Sequence, residues 1–124
     1  MANFDFDRDI TVLLADDHEI IRSGIRRLLN VNKNIKIVDE AANGKDTVDL
    51  IKYHEPDVVL LDILMPKMNG IEVTKIIKQD MPEVYIIMLT AFEDYKHIEQ
   101  ALEAGANGYL SKDISAKELN ESIK

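Results

Sequence analysis

Cysteine is absent from this chain of 124 residues. Disulfides and thiolate metal sites are therefore excluded, and the redox state of the compartment stays open. No apolar run approaches the roughly 20 residues that a membrane-spanning helix needs. The first residues, MANFDFDRD, have neither the basic stretch nor the apolar stretch of a secretory signal. A cytoplasmic protein without membrane contact is the expectation. Basic residues are in the minority, 15 against 23 acidic ones, for a formal net charge of −8. Such a surface repels a nucleic-acid backbone, so this segment is not expected to bind DNA by itself. It favours a cation or a basic partner as ligand, but plain solubility is the first explanation until the acids are placed in space. The chain also has no linker, low-complexity tract or internal repeat beyond its secondary-structure rhythm.

What is present is enough apolar residue, 46% of the chain, for one compact domain with a real core. Five apolar runs stand out: Ile10 to Ala15, Ile35 to Ala41, Val58 to Asp62, Tyr85 to Thr90 and Gly108 to Ser111. Between them lie stretches of helical spacing. Ile21, Ile25, Leu28 and Leu29 line the first, with Gly24 expected to pack close beside them. Val48, Ile51, Lys52 and Tyr53 continue the second, Ile71, Ile76 and Ile77 the third, and Ile98, Ala101 and Leu102 the fourth. A fifth helix is expected from an N-cap at Ser115, with Glu118 three residues on as in a capping box.

Five βα units in succession predict an α/β fold, a parallel sheet covered by helices on both faces. The first, third and fourth runs are almost continuously apolar, as central strands are. The second carries charges and the fifth is very short, as at edges. The strand order is then 2-1-3-4-5, a doubly wound, flavodoxin-like (βα)5 sandwich, in which ligands bind outside the carboxyl ends of the strands.

Reading those carboxyl ends gives a consistent set. The first strand ends in Asp16 and Asp17, the third in Asp62, the fourth in Thr90, and the fifth in Ser111 and Lys112. Three carboxylates at the mouths of two adjacent strands repel one another in a crevice of reduced dielectric. Oxygen ligands of that kind call for a hard cation such as Mg²⁺. Lys112 adds a positive charge and Thr90 a hydroxyl that can donate to an anion. The set fits a metal and a phosphoryl group. Asp62 can serve as the nucleophile because a carboxylate is ionised at neutral pH and needs no general base, while the metal and Lys112 stabilise the equatorial phosphoryl oxygens. No histidine stands at a strand end.

In these residues the chain resembles the receiver domains of two-component response regulators over nearly its whole length. The acidic pair sits in LLADDHE, and the acceptor aspartate in Asp62-Ile-Leu-Met65-Pro66-Lys-Met-Asn-Gly70. Thr90 is followed by Ala91, and Tyr109 stands three residues before Lys112. The resemblance implies that Asp62 takes a phosphoryl group from a sensor histidine kinase, as a regulatory acceptor rather than an enzyme. It further implies that Asp17 touches Mg²⁺ directly, that Asp16 holds it mainly through water, and that the Leu64 backbone carbonyl is another ligand. Thr90 would then swing toward the phosphoryl group and Tyr109 move inward, altering the surface of helix 4, strand 5 and helix 5.

Two departures from the commonest pattern carry information. Asp113, not proline, follows Lys112, so a cis-proline there is unavailable; together with DDHEIIRSGIRRLL and GYLSKDIS this is similar to the LuxR/NarL-type subgroup. Leu64 and Phe92 stand where some relatives carry polar groups that orient a hydrolytic water, so slow dephosphorylation is expected.

Simpler readings exist for each residue alone. Asp16 and Asp17 can be a helix-start feature, Thr90 an ordinary strand residue, Tyr109 an edge aromatic and Lys112 a surface lysine. The histidines, His18, His54 and His97, are read as structural or solvated, and the methionines as core filler. Among whole-protein alternatives, a flavodoxin needs a Ser/Thr/Gly-rich phosphate loop where this chain has DDHE. An aspartate-nucleophile phosphatase needs its nucleophile after the first strand with a second acid two residues on. A degenerate receiver acting only as an interaction module normally lacks an acid, the acceptor or the lysine, all of which are present here.

The expected organisation is an N-terminal tail over residues 1–9 and a receiver domain over 10–124. Lys124 falls two or three turns into the fifth helix with no Gly, Asn or Pro stop signal. A longer parent protein is expected, with a C-terminal helix-turn-helix domain that binds DNA and controls transcription. A homodimer on phosphorylation fits the same picture.

Overall fold

The computed structural model describes residues 9–90, 95–112 and 123. Its elements alternate strictly: β1 (Ile10–Ala15), α1 (Glu19–Asn30), β2 (Ile35–Ala41), α2 (Gly44–His54), β3 (Val58–Asp62), α3 (Gly70–Asp80), β4 (Tyr85–Thr90), α4 (Tyr95–Glu103) and β5 (Gly108–Ser111). The strands form one parallel sheet in the order β2-β1-β3-β4-β5, as the apolar runs predict. The fifth helix's expected N-cap, Ser115, and its partner Glu118 lie outside the described residues, as does the junction after Lys112.

Successive residues of β1, β3 and β4 point to opposite faces, and both faces are dry. Leu13, Ala15, Val59, Leu61, Ile86 and Met88 face one way and pack with Ile51 of α2, Ile71, Val73 and Ile77 of α3, and Ala101 of α4. Val12, Leu14, Val58, Leu60, Ile87 and Leu89 face the other way, against Ile25 and Leu29 of α1 and Ile123. Each fully buried Leu or Ile removes its apolar surface from water, about 1.5–3 kcal/mol apiece. Between β1 and β2 the register slips: Val12 pairs with Ile37 but Leu13 with Asp39, leaving Val38 as the extra residue.

The helices depart from the sequence reading at three places. Gly24 is exposed, and nothing would crowd a Cβ there, so it is not a close-packing position. Tyr53 is exposed and stacks edge-on against His54 instead of joining the buried stripe. Only Ile98 and Ala101 of α4 are buried, while Leu102 is exposed. His54 bridges α2 to β2 through Asp39, 3.0 Å from Nε2, a structural histidine as expected. Met65 and Met88 are core residues.

Two glycines fix the loops at the carboxyl end of the sheet. A Cβ on Gly70 would collide with the Asp62 carbonyl oxygen, and one on Gly44 with the Met68 carbonyl. Both helix starts are thereby drawn tight against the β3–α3 connection. Within that connection Lys67 adopts φ 70°, and the Met68 N–H donates to the Pro66 carbonyl at 2.8 Å. This is a γ-turn with positive φ, a rare and strained form. Asn69 then caps α3 in a full capping box with Glu72.

Candidate phosphoryl and metal site

The register of the sheet assembles the site. Ala15 pairs with Leu61, so the next residue of the first strand, Asp16, lies level with Asp62. Asp62 pairs with Leu89, bringing Thr90 one step beyond, and Thr90 pairs with Ser111, bringing Lys112 one step beyond that. The Lys112 N–H donates to the Thr90 carbonyl at 2.8 Å, which fixes where the lysine leaves the sheet. Every residue read from strand ends therefore arrives at one edge.

Asp16 and Asp62 are buried there, and the Lys112 side chain is nearly so. Its Nζ stands 2.9 Å from Asp16 Oδ2 and 3.1 Å from Asp62 Oδ2. Among the described residues neither Oδ2 accepts a well-directed hydrogen bond, so the ammonium is the sole compensation for two buried carboxylate oxygens. The other oxygen of Asp16 accepts from the His18 N–H at 2.8 Å, and that of Asp62 weakly from the Leu64 N–H at 3.4 Å. Asp17 lies at the rim, more open to solvent than Asp16. Arg22 of α1 donates to the Asp16 carbonyl oxygen and, at 3.2 Å, to Glu40, tying the acidic loop to β2.

Burial pushes the Asp62 carboxyl up to about 6, and the neighbouring Asp16 charge pushes the same way, against the pull of Lys112. For Lys112, burial works against its charge, yet the close contact with Asp16 and the two carboxylate charges outweigh it and leave its pKa raised. Asp62 is thus less completely ionised at neutral pH than an exposed carboxylate, which qualifies the expectation drawn from its sequence. A cation beside it would restore the ionised form.

The residues fit a hard divalent cation. Ligand atoms from Asp16, Asp17, His18 and Asp62 lie within 4.8 Å of one another. Three carboxylates face one lysine, an excess of two negative charges when all are ionised, and the two under-bonded Oδ2 atoms are suited to metal or water. The structure also places His18 in the cluster, its Nδ1 3.0 Å from Asp16 Oδ1 and 3.1 Å from Asp17 Oδ1. The sequence reading had set that histidine aside. Its adjacency to the acidic pair was the available signal, as Arg22 one turn on was for the tether.

The switch residues divide. Thr90 is buried at the end of β4, whereas Tyr109 of β5 is 49% exposed. Leu64 lies in the β3–α3 connection and is 59% exposed. Phe92 lies outside the described residues.

The model of the response regulator receiver domain matches residues 12–124. The chain belongs to the response-regulator receiver family. Among curated relatives, the transcriptional regulatory protein LnrK of Bacillus subtilis is 41% identical over 114 residues, 92% of this chain and 52% of the relative. The signal receiver domain of the putative response regulator NarL from Mycobacterium tuberculosis superposes with a TM-score of 0.89 at 33% identity, covering 94% of each chain. A DNA-binding response regulator of the LuxR family from Staphylococcus aureus gives a TM-score of 0.86 at 31% identity, covering 92% of this chain and 95% of that one. This receiver spans about half the length of the curated relatives it matches. Receivers act in two-component signalling, take phosphate from sensor histidine kinases and bind Mg²⁺ at their acidic site, which agrees with the cluster described here. No helix among the described residues is long and apolar enough to cross a membrane.

Proposed function

We propose that this receiver accepts a phosphoryl group on Asp62 from a partner sensor histidine kinase, with Mg²⁺ held by Asp16, Asp17, Asp62 and the Leu64 backbone carbonyl. The observation that carries the reading is the pair of buried, under-bonded Oδ2 atoms of Asp16 and Asp62 flanking Lys112. In the transfer an Asp62 carboxylate oxygen forms a bond to phosphorus. The bond from phosphorus to the donor's imidazole nitrogen breaks, and that nitrogen keeps the electron pair. Mg²⁺ supplies charge neutralisation for the phosphoryl oxygens. Lys112 trades its ion pair with Asp62 for one with the incoming phosphoryl group and stays anchored by Asp16. Thr90 offers its hydroxyl to a phosphoryl oxygen.

The exposed Tyr109 then moves inward beside Thr90, which changes the surface around α4 and β5. That surface controls an output domain in a longer parent protein, a C-terminal helix-turn-helix that binds DNA. The relatives' greater length and the LuxR-family neighbour support this extension. A phosphorylated homodimer and a cytoplasmic location complete the reading. Acetyl phosphate with Mg²⁺ tests the chemistry: intact mass should show one phosphoryl adduct, lost on chelation of the metal and in Asp62→Asn. An adduct that persists in Asp62→Asn refutes the assignment.

A further inference from the structure

We propose that His18 is a nitrogen ligand of the cation site, which makes the site selective for first-row transition ions over Mg²⁺. The inference rests on the reading of the acidic cluster as a metal site and goes beyond it. His18 follows the acidic pair directly and occupies the N-cap position of α1, where its side chain makes no capping bond. The imidazole is 63% exposed, so neither helix capping nor core packing accounts for where it points. It points at the metal site. Its Nδ1 stands 3.0 Å from Asp16 Oδ1 and 3.1 Å from Asp17 Oδ1. Adjacent ligands of an octahedral ion with bonds near 2.1 Å are about 3.0 Å apart. Nδ1 therefore already stands from each of these two oxygens at the spacing of neighbouring ligands.

A second observation is independent of those spacings. The buried Oδ2 atoms of Asp16 and Asp62 lack a well-directed hydrogen bond and share one ammonium, Lys112 Nζ at 2.9 and 3.1 Å, so the cluster holds acceptor capacity beyond that single ion pair. Nδ1 is the ring atom on the carboxylate side, so its lone pair is the one a cation there would meet. Imidazole is a good ligand for Co²⁺, Ni²⁺ and Zn²⁺ and a poor one for Mg²⁺, which prefers carboxylate, carbonyl and water oxygens. With Mg²⁺ the imidazole stays outside the coordination shell. With a transition ion it enters, and affinity rises.

Calorimetric titration of the metal-free domain with Mg²⁺ or Co²⁺ alone, together with pulsed electron paramagnetic resonance of the Mn²⁺ form, tests this. His18→Ala removes the ring, and His18→Asn keeps a hydrogen-bond donor without the imidazole. Both should lower Co²⁺ affinity by about tenfold or more, since even outer-shell changes cost about 10–100-fold, and should leave Mg²⁺ affinity within about threefold. Nitrogen-14 coupling to Mn²⁺ should be present in the wild type and absent from both variants. Equal losses for Co²⁺ and Mg²⁺, retained Co²⁺ affinity in His18→Asn, or coupling that survives His18→Ala would overturn the ligand role. Asp17→Ala is the separate control: unchanged Mg²⁺ affinity there overturns the metal-site reading itself.

Discussion

Replacing Asp62 by asparagine should make the metal-free domain more stable, although it removes the residue on which function depends. Asp62 is buried beside Asp16, and its carboxyl is pushed from 3.8 to about 6. At 1.36 kcal/mol per unit, a shift of about two units is a penalty of about 3 kcal/mol for keeping the ionised form in the fold. Lys112 is not orphaned by the change, because Asp16 Oδ2 remains 2.9 Å away. Relaxation and water penetration reduce the ceiling, so a gain of about 1–3 kcal/mol is expected at pH 7 without divalent metal. For a domain of this size that is a rise of roughly 3–5 °C in Tm per kcal/mol. The sign follows from linkage. An acid whose folded pKa lies above its unfolded value destabilises the fold as it ionises. Wild-type stability should therefore fall as pH rises from about 4 through about 6, and the advantage of the Asp62→Asn variant should be absent below that window and complete above it. Saturating Mg²⁺ should close or reverse the gap, because binding 100-fold above Kd adds about 2.7 kcal/mol to the form that binds. Urea unfolding of both proteins at pH 4 and pH 7, with EDTA and with Mg²⁺, measures the gap under each condition. A variant no more stable than wild type at pH 7 in EDTA would refute the electrostatic account.

Asp17→Ala should weaken Mg²⁺ binding by about tenfold or more while leaving stability in EDTA within about 0.5 kcal/mol, since Asp17 lies at the rim; titration and urea unfolding read the two effects. Gly70→Ala should destabilise by about 1–3 kcal/mol and slow phosphorylation, because its Cβ collides with the Asp62 carbonyl oxygen. Thr90→Ala should still accept phosphate but leave Tyr109 outside, seen as unchanged tyrosine fluorescence or ring NMR shifts on phosphorylation. Leu64→Asn with Phe92→Glu should shorten the lifetime of the phosphorylated state, followed by loss of the intact-mass adduct after the donor is removed.

The fold was legible because burial on both faces leaves a direct mark on sequence. Val58 to Leu61 has no polar interruption, while Lys36, Asp39 and Glu40 mark β2 as an edge. The acids and Lys112 were legible for a related reason: a parallel sheet delivers the last residues of adjacent strands to one edge whatever the loops do. Side-chain direction beyond the strand ends was not legible. Helical periodicity placed Tyr53 beside a buried stripe, but a bulky ring at the stripe's margin can turn to solvent and stack on His54. A glycine inside an apolar helix reads as close packing, yet Gly24 sits on the open side of α1. His18 gave no periodic signal at all. Its adjacency to Asp16 and Asp17 was the one local signal, and its place among the carboxylates further depends on the turn that joins β1 to α1 and on one rotamer. The raised carboxyl of Asp62 likewise follows from depth, and depth comes from the whole sheet.

The central claim is that one carboxylate in this cluster, Asp62, receives the phosphoryl group. Borohydride reduction of the phosphorylated domain converts an acyl phosphate to a homoserine, which peptide sequencing by mass spectrometry then locates. Homoserine at position 62, and at neither 16 nor 17, is the predicted result. Homoserine in place of Asp16 or Asp17, or none after full incubation with acetyl phosphate and Mg²⁺, would contradict it.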